Sequence, residues 1–244
     1  NIAFGMASLG LRPVLVGAAG ADFAEYRAWL DAHGVDTSHV RVSPQRHTAR
    51  FVCTTDADQK QFASFYPGAM SEARDIDLAA VVDDVGGVDL VLVGPDDPAA
   101  MLRHTETCRR LGIPFVADPS QQLSSMDDDT CRSLIDGAEY LFTNEYESAL
   151  TERRTGWGPD EVLKRVGTRV TTLGARGARV ERAGAPVVEV TVPVEERKAD
   201  PTGVGDAFRA AYLAGLVWGL SPRRCAQLGA TLATYVVETV GTQE

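Results

Sequence analysis

Val88-Asp89-Leu90-Val91-Leu92-Val93-Gly94 opens the stretch that decides the fold, followed by Pro98–Leu111 and then Ile113–Ala117. The first segment is nearly continuous in apolar residues, as strands buried on both faces of a parallel sheet are. Pro98 sits at a helix start and Gly112 at its stop, which frames a helix over 98–111. Ile113–Ala117 is a second short apolar run, ended by Asp118-Pro119-Ser120. Strand, helix, strand at this spacing is a βαβ unit.

The same rhythm runs outward in both directions. C-terminally it predicts a helix over 129–135, a strand over 138–143, a helix from Asn144 and a strand over 169–173. β-rich pieces follow at 178–181 and 187–192, then helices over 203–218 and from Ser221-Pro222 towards Glu238. N-terminally, Pro13–Ala18 reads as a strand, and Asp22 with Glu25 as the capping box of a helix stopping at Gly34. The rhythm breaks at 49–55 and 61–66, two β-rich runs around a polar turn, which predict a hairpin on a small lid at about 47–67. The expectation is one α/β domain over 1–244, a doubly wound, mostly parallel sheet with a β lid.

Composition narrows the function. The chain has 244 residues, 44% of them hydrophobic, enough for a core and too apolar for disorder. Its apolar runs fall short of the roughly 18 residues of a membrane span. A net charge of −10 argues against a nucleic-acid coat. The four cysteines, Cys53, Cys108, Cys131 and Cys225, are dispersed and suit buried thiols in a reducing cytoplasm. Lys60, Lys164 and Lys198 are the only lysines, and none sits in a Walker A loop.

Ligands of open α/β sheets bind where strands end and helices begin, and three such loops stand out. Asp200-Pro201-Thr202-Gly203-Val204-Gly205-Asp206 precedes an apolar helix. Its glycines let backbone N–H groups converge on an anion at a helix start, and Asp206 is placed to accept a proton from a hydroxyl attacking a phosphate. A plain glycine turn with a first-turn acid reads equally well there. Asn144 and Glu147, three apart, suit either magnesium-bound water near phosphates or an ordinary capping box. Thr172, Gly174 and Gly177 suit either close approach of a nucleotide or a tight hairpin.

Together, Asn-x-x-Glu, Thr-x-Gly-x-x-Gly and Asp-x-x-Gly-x-Gly-Asp resemble the ribokinase-like (PfkB) family of sugar and nucleoside kinases. Segments 16–23, 64–70, 118–122, 200–209 and 241–244 are similar to its adenosine kinases of the actinobacterial type. The resemblance implies ATP-dependent phosphorylation of adenosine at its 5′-hydroxyl, as in purine salvage. It implies Asp206 as the base, Gly203, Val204 and Gly205 as the anion hole, and Asn144, Thr172, Gly174 and Gly177 at ATP. It implies Glu147 on Mg2+ through water, and a possible K+ site. Asn1, Gln121 and Gln122 would lie near the nucleoside. Phe51 and Phe65 would pack on adenine or form lid or dimer core, so a homodimer through the lid is a further expectation. Relative to the family the chain is expected to be truncated at both ends. The rivals are a ribose or fructose kinase of the same family and a non-catalytic nucleoside-binding protein.

Overall fold

The computed structural model describes residues 1–55 and 61–243. The elements run α1 (Ile2–Ser8), β1 (Gly17–Gly20), α2 (Ala24–Ala32), β2 (Val40–Ser43), β3 (Arg50–Thr55) and β4 (Gln61–Tyr66). Then come α3 (Leu78–Asp84), β5 (Val91–Val93), α4 (Pro98–Leu111), β6 (Phe115–Ala117), α5 (Asp128–Ile135), β7 (Tyr140–Asn144) and α6 (Glu145–Thr155). The chain continues through α7 (Pro159–Arg165), β8 (Thr168–Thr172), β9 (Ala178–Glu181), β10 (Val188–Val190), α8 (Val204–Val217) and α9 (Pro222–Val237).

Six strands form one sheet in the order β10-β9-β8-β7-β6-β5. β5 to β8 pair in parallel, and β9 and β10 extend the sheet antiparallel. Side chains alternate across it, as the pleat requires. Val116 and Phe142 enter a core with Phe208 and Tyr212 of α8 and Ala226 of α9. Phe115, Ala117 and Leu141 enter another on the opposite side, with Leu78 of α3, Cys108 of α4, Ile135 of α5 and Val162 of α7. Both faces are therefore covered by helices, which is why β5 to β7 read as apolar runs.

β1 and β2 pair in parallel as a separate ribbon. With α1 and α2 they build a smaller cluster around Phe23, Leu30 and Val35. α1 lies against α8 so closely that a Cβ on Gly5 would fall 2.8 Å from that of Ala210. β3 and β4 pair antiparallel, with Phe51 opposite Phe65.

Two N-terminal expectations are corrected. The strand expected at 13–18 lies at 17–20, because pairing with Val40–Ser43 sets the register and Val14 makes only one bridge, to Asp36. Asp22 does not cap α2. Its Oδ1 accepts from the Thr48 N–H at 2.8 Å and the Thr48 hydroxyl at 2.7 Å, and Arg50 donates to its Oδ2 at 2.6 Å. A long-range partner has outcompeted the local cap, so Asp22 tethers the base of the β3–β4 hairpin. Those hydrogen bonds, the Thr48 N–H first, hold its carboxyl well below the usual carboxylate range.

Candidate active site

The carboxyl ends of β6, β7 and β8 lie side by side, and the first turns of α8 approach the residues that follow β6. Gly203, in the left-handed region at φ 79°, turns the chain into α8. A Cβ there would lie 2.8 Å from the Thr242 side chain, so both backbone and space call for glycine. Thr202 donates its N–H to Asp200 Oδ1 at 2.9 Å and tightens the approach. The first N–H groups of any helix lack intrahelical partners. Here they belong to Val204, Gly205 and Asp206, and the Val204 N–H makes only a 3.5 Å contact to Pro201 O. The sequence thus places free donors and a helix dipole on one point, suited to an anion.

Asp206 stands in that first turn. The Asn1 side-chain amide donates to its Oδ2 at 2.8 Å. Asn1 Oδ1 in turn accepts from the Thr242 hydroxyl at 3.0 Å and the Gln243 amide at 3.2 Å. A carboxylate acceptor beside an anion hole has the layout for in-line transfer of a phosphoryl group to a hydroxyl.

Asn144 ends β7 and caps α6. Its Oδ1 accepts from the Glu147 N–H, and Glu147 Oε2 accepts from the Asn144 N–H, both at 2.8 Å. The capping-box reading is therefore realised. It leaves Glu147 Oε1 turned towards the Ser120 hydroxyl at 3.5 Å. Ser120 has φ 46°, the one non-glycine residue at positive φ among those described. A buried carboxylate with one oxygen uncommitted to the cap, beside a hydroxyl, is a hard-oxygen donor set. It fits Mg2+, which takes one or two carboxylates and completes its shell with phosphates and water. Among the described residues no three His, Cys, Asp or Glu side chains gather into a metal cage.

Thr172 pairs with Asn144 across β7 and β8. Gly174 and Gly177 make the tight turn into β9, closed by the Leu173 N–H to Gly177 O at 2.8 Å. The hairpin reading is thus realised too, and it sits on the same sheet edge. Gln121 and Gln122 lie on the turn after β6, where Gln122 Oε1 accepts from the Ser125 hydroxyl at 2.8 Å. Phe51 and Phe65 share one face of the hairpin, 68% and 52% exposed.

Two residues that sequence reasoning did not single out complete the edge. Asp118 and Arg209 form a buried ion pair, 1% and 7% exposed. Arg209 Nη2 donates to Asp118 Oδ1 at 2.7 Å, and Nε lies 2.5 Å from Oδ2 without hydrogen-bond alignment. Burial pushes the Asp118 carboxyl up to about 6. Arg209 opposes that rise, while the charges of Glu147 and Asp206 add to it. The available signal was the lone arginine inside the apolar helix Ala207–Val217, since a buried charge requires a partner.

The profile of the pfkB family carbohydrate kinases matches residues 1–244. The chain is 29% identical to a nucleoside kinase of Methanothermobacter thermautotrophicus, covering 100% of this chain and 78% of the relative. A Burkholderia thailandensis nucleoside kinase solved with inosine superposes with a TM-score of 0.93 at 34% identity, over 99% of this chain and 80% of that one. The Methanocaldococcus jannaschii nucleoside kinase, an archaeal member of the ribokinase family, superposes at 0.90 with 25% identity, over 99% and 79%. Fold, glycine turn and whole-length match agree: this chain belongs to the pfkB family of carbohydrate kinases and carries its ribokinase-like α/β fold.

Proposed function

We propose that the chain phosphorylates a purine nucleoside at its ribose 5′-hydroxyl, converting adenosine and ATP to AMP and ADP. The observation that carries this reading is the Asp206 carboxylate, fixed by Asn1 in the first turn of α8 directly behind the Gly203–Gly205 turn. The whole-length likeness to nucleoside kinases, one of them solved with inosine, supports a nucleoside over a free sugar.

In this reading Asp206 accepts the hydroxyl proton as the 5′-oxygen bonds to the γ-phosphorus. The bond from that phosphorus to the bridging oxygen of ADP breaks. The N–H groups of Gly203, Val204 and Gly205 take up the negative charge on the transferring group, a preorganised field that needs no rearrangement at the moment of reaction. Thr172, Gly174 and Gly177 line the donor nucleotide. Asn144 holds Glu147, which would hold Mg2+ through water. That ion, when bound, neutralises charge on the phosphates; a K+ near the same turn is part of this reading. Asn1, Gln121 and Gln122 position the nucleoside. The β3–β4 hairpin, tethered by Asp22, acts as a lid that brings Phe51 and Phe65 over the base. Its other exposed face is a place for a second copy to pair.

The test is phosphate transfer from Mg·ATP to adenosine, inosine, ribose and fructose, with Asp206→Asn as control. Nucleoside-selective transfer that falls by about 10³-fold or more in Asp206→Asn supports the reading. Faster transfer to ribose or fructose replaces it with a sugar kinase. Nucleoside-dependent thermal stabilisation without turnover replaces it with a binding protein.

A further inference from the structure

The helix that carries Asp206 holds one charge it has no evident need of. α8 runs Ala207-Phe208-Arg209-Ala210-Ala211-Tyr212-Leu213, and every other residue of that run is apolar or aromatic. Arg209 is buried, faces Asp118 across to β6, and lies 6.0 Å from the Phe142 ring. Buried ion pairs seldom stabilise a fold better than apolar residues of similar volume. Stability alone gives this pair no reason to be here.

Its place suggests another reason. A Cβ on Gly205 would fall 2.8 Å from Arg209 Nη1, so the guanidinium packs directly beneath the glycine turn. Three carboxylates, those of Asp118, Glu147 and Asp206, act electrostatically on that one guanidinium. A phosphate chain entering the edge adds further negative charge. Without Arg209 the edge would repel the group it must hold. Lysine would offer a point charge where this geometry uses a flat fork, one arm to Asp118 and one under the turn.

We propose that Arg209 is a positioning residue for phosphoryl transfer: clamped by Asp118, it supports the Gly203–Gly205 turn from below and supplies the positive charge behind it. This rests on the kinase reading above. The experiment compares the wild type with Arg209→Lys, Arg209→Gln and the neutral pair Asp118→Asn/Arg209→Gln, reading thermal unfolding, kcat and both KM values. Arg209→Gln should lower kcat about 10- to 100-fold, with nucleoside KM changed less than about threefold. Arg209→Lys should recover part of the loss. The neutral pair leaves no unpaired buried charge, so it should unfold near the wild-type temperature and still turn over slowly. A neutral pair that regains both stability and kcat overturns the proposal and makes the pair a structural staple. If the neutral pair does not fold, Arg209→Lys decides, and a kcat no better than that of Arg209→Gln overturns it. A wild type that phosphorylates no nucleoside or sugar removes the kinase reading and this proposal together, whereas an active wild type with unaffected variants removes only the proposal.

Discussion

Asn1 and Asp206 stand 205 positions apart in the sequence and 2.8 Å apart in the fold, amide nitrogen to carboxylate oxygen. The bond spends one lone pair of Oδ2 and fixes the plane of the carboxylate, leaving Oδ1 for the hydroxyl of a substrate. Asn1→Ala removes a hydrogen bond to a charged group, worth about 1.5 kcal/mol and therefore roughly tenfold in kcat/KM. Asn1→Asp sets a like charge against Asp206 and should fall further. Steady-state kinetics on both variants checks this; an Asp variant as fast as the wild type would show that the contact orients nothing.

Gly203→Ala meets two obstacles at once. The residue holds φ 79°, and its new methyl would meet Thr242 at 2.8 Å. The left-handed backbone alone costs about 1–2 kcal/mol, and crowding adds to it. A drop in Tm of about 4–8 °C is expected for a loss near 2 kcal/mol in a chain of this size. The kcat should fall as well, because the donors on the turn lose their aim. Calorimetry and kinetics on the same sample test both effects.

The Asp22–Thr48 tether carries a pH signature. Hydrogen bonds from Thr48 and Arg50 hold the Asp22 carboxyl below its ordinary value. A depressed carboxylate contributes stability above the unfolded pKa of about 4 and loses it as pH falls through the folded value. Protection of the Thr48 amide, taken as its exchange rate relative to the intrinsic rate at each pH, should therefore hold from neutral pH down to about 4 and decline below that as pH approaches the depressed folded value. Asp22→Asn should exchange faster across the whole range. Equal protection in the two chains at pH 7 would rule the tether out.

The thiols offer a simpler reading. Cys108, Cys131 and Cys225 are buried and free, and burial pushes the Cys108 thiol up to about 11. Reactivity belongs to the thiolate. In a Cys53→Ser background, an aromatic disulfide reagent at pH 8 should find none of the three in the native chain and all three after denaturation. A fast-reacting native thiol would contradict the packing of α4, α5 or α9.

Where the sequence was legible, the cues were local and covalent in origin. Pro98 and Gly112 frame α4 at the residues expected, and β9 occupies 178–181 as the pattern indicates. The hairpin of β3 and β4 followed from two β-rich runs around a polar turn. The short helices α1, α3 and α7, of seven residues each, were not legible. Helices so short do not stand alone in water and exist because neighbours pack on them. β2 and the true place of β1 depend on each other and on little else nearby. In the candidate site, Asp206, Gly203 and Gly205 stood out through their spacing, and the structure gathers them at the start of α8. Asp118 and Arg209 did not, since their meaning lies in a pairing across 91 positions. Asp22 misled for a related reason: its local pattern pointed to a cap, and Thr48 offered a better partner.

The strand order has a consequence for how the molecule is made. From β5 to β10, neighbours in the sheet are neighbours along the chain. A polypeptide leaving the ribosome can add each strand to the one already laid down, with short loop closures and small entropic toll. The N-terminal end enjoys no such convenience. α1 is synthesised before all of these strands and its partner α8 after all of them, so Asn1 must wait for Asp206. A nascent chain that has not reached residue 206 therefore holds a growing sheet without the Gly203–Asp206 turn at its edge. Docking of α1 on α8 must therefore follow the laying down of the sheet, and the Asn1–Asp206 contact closes only once synthesis has run past residue 206.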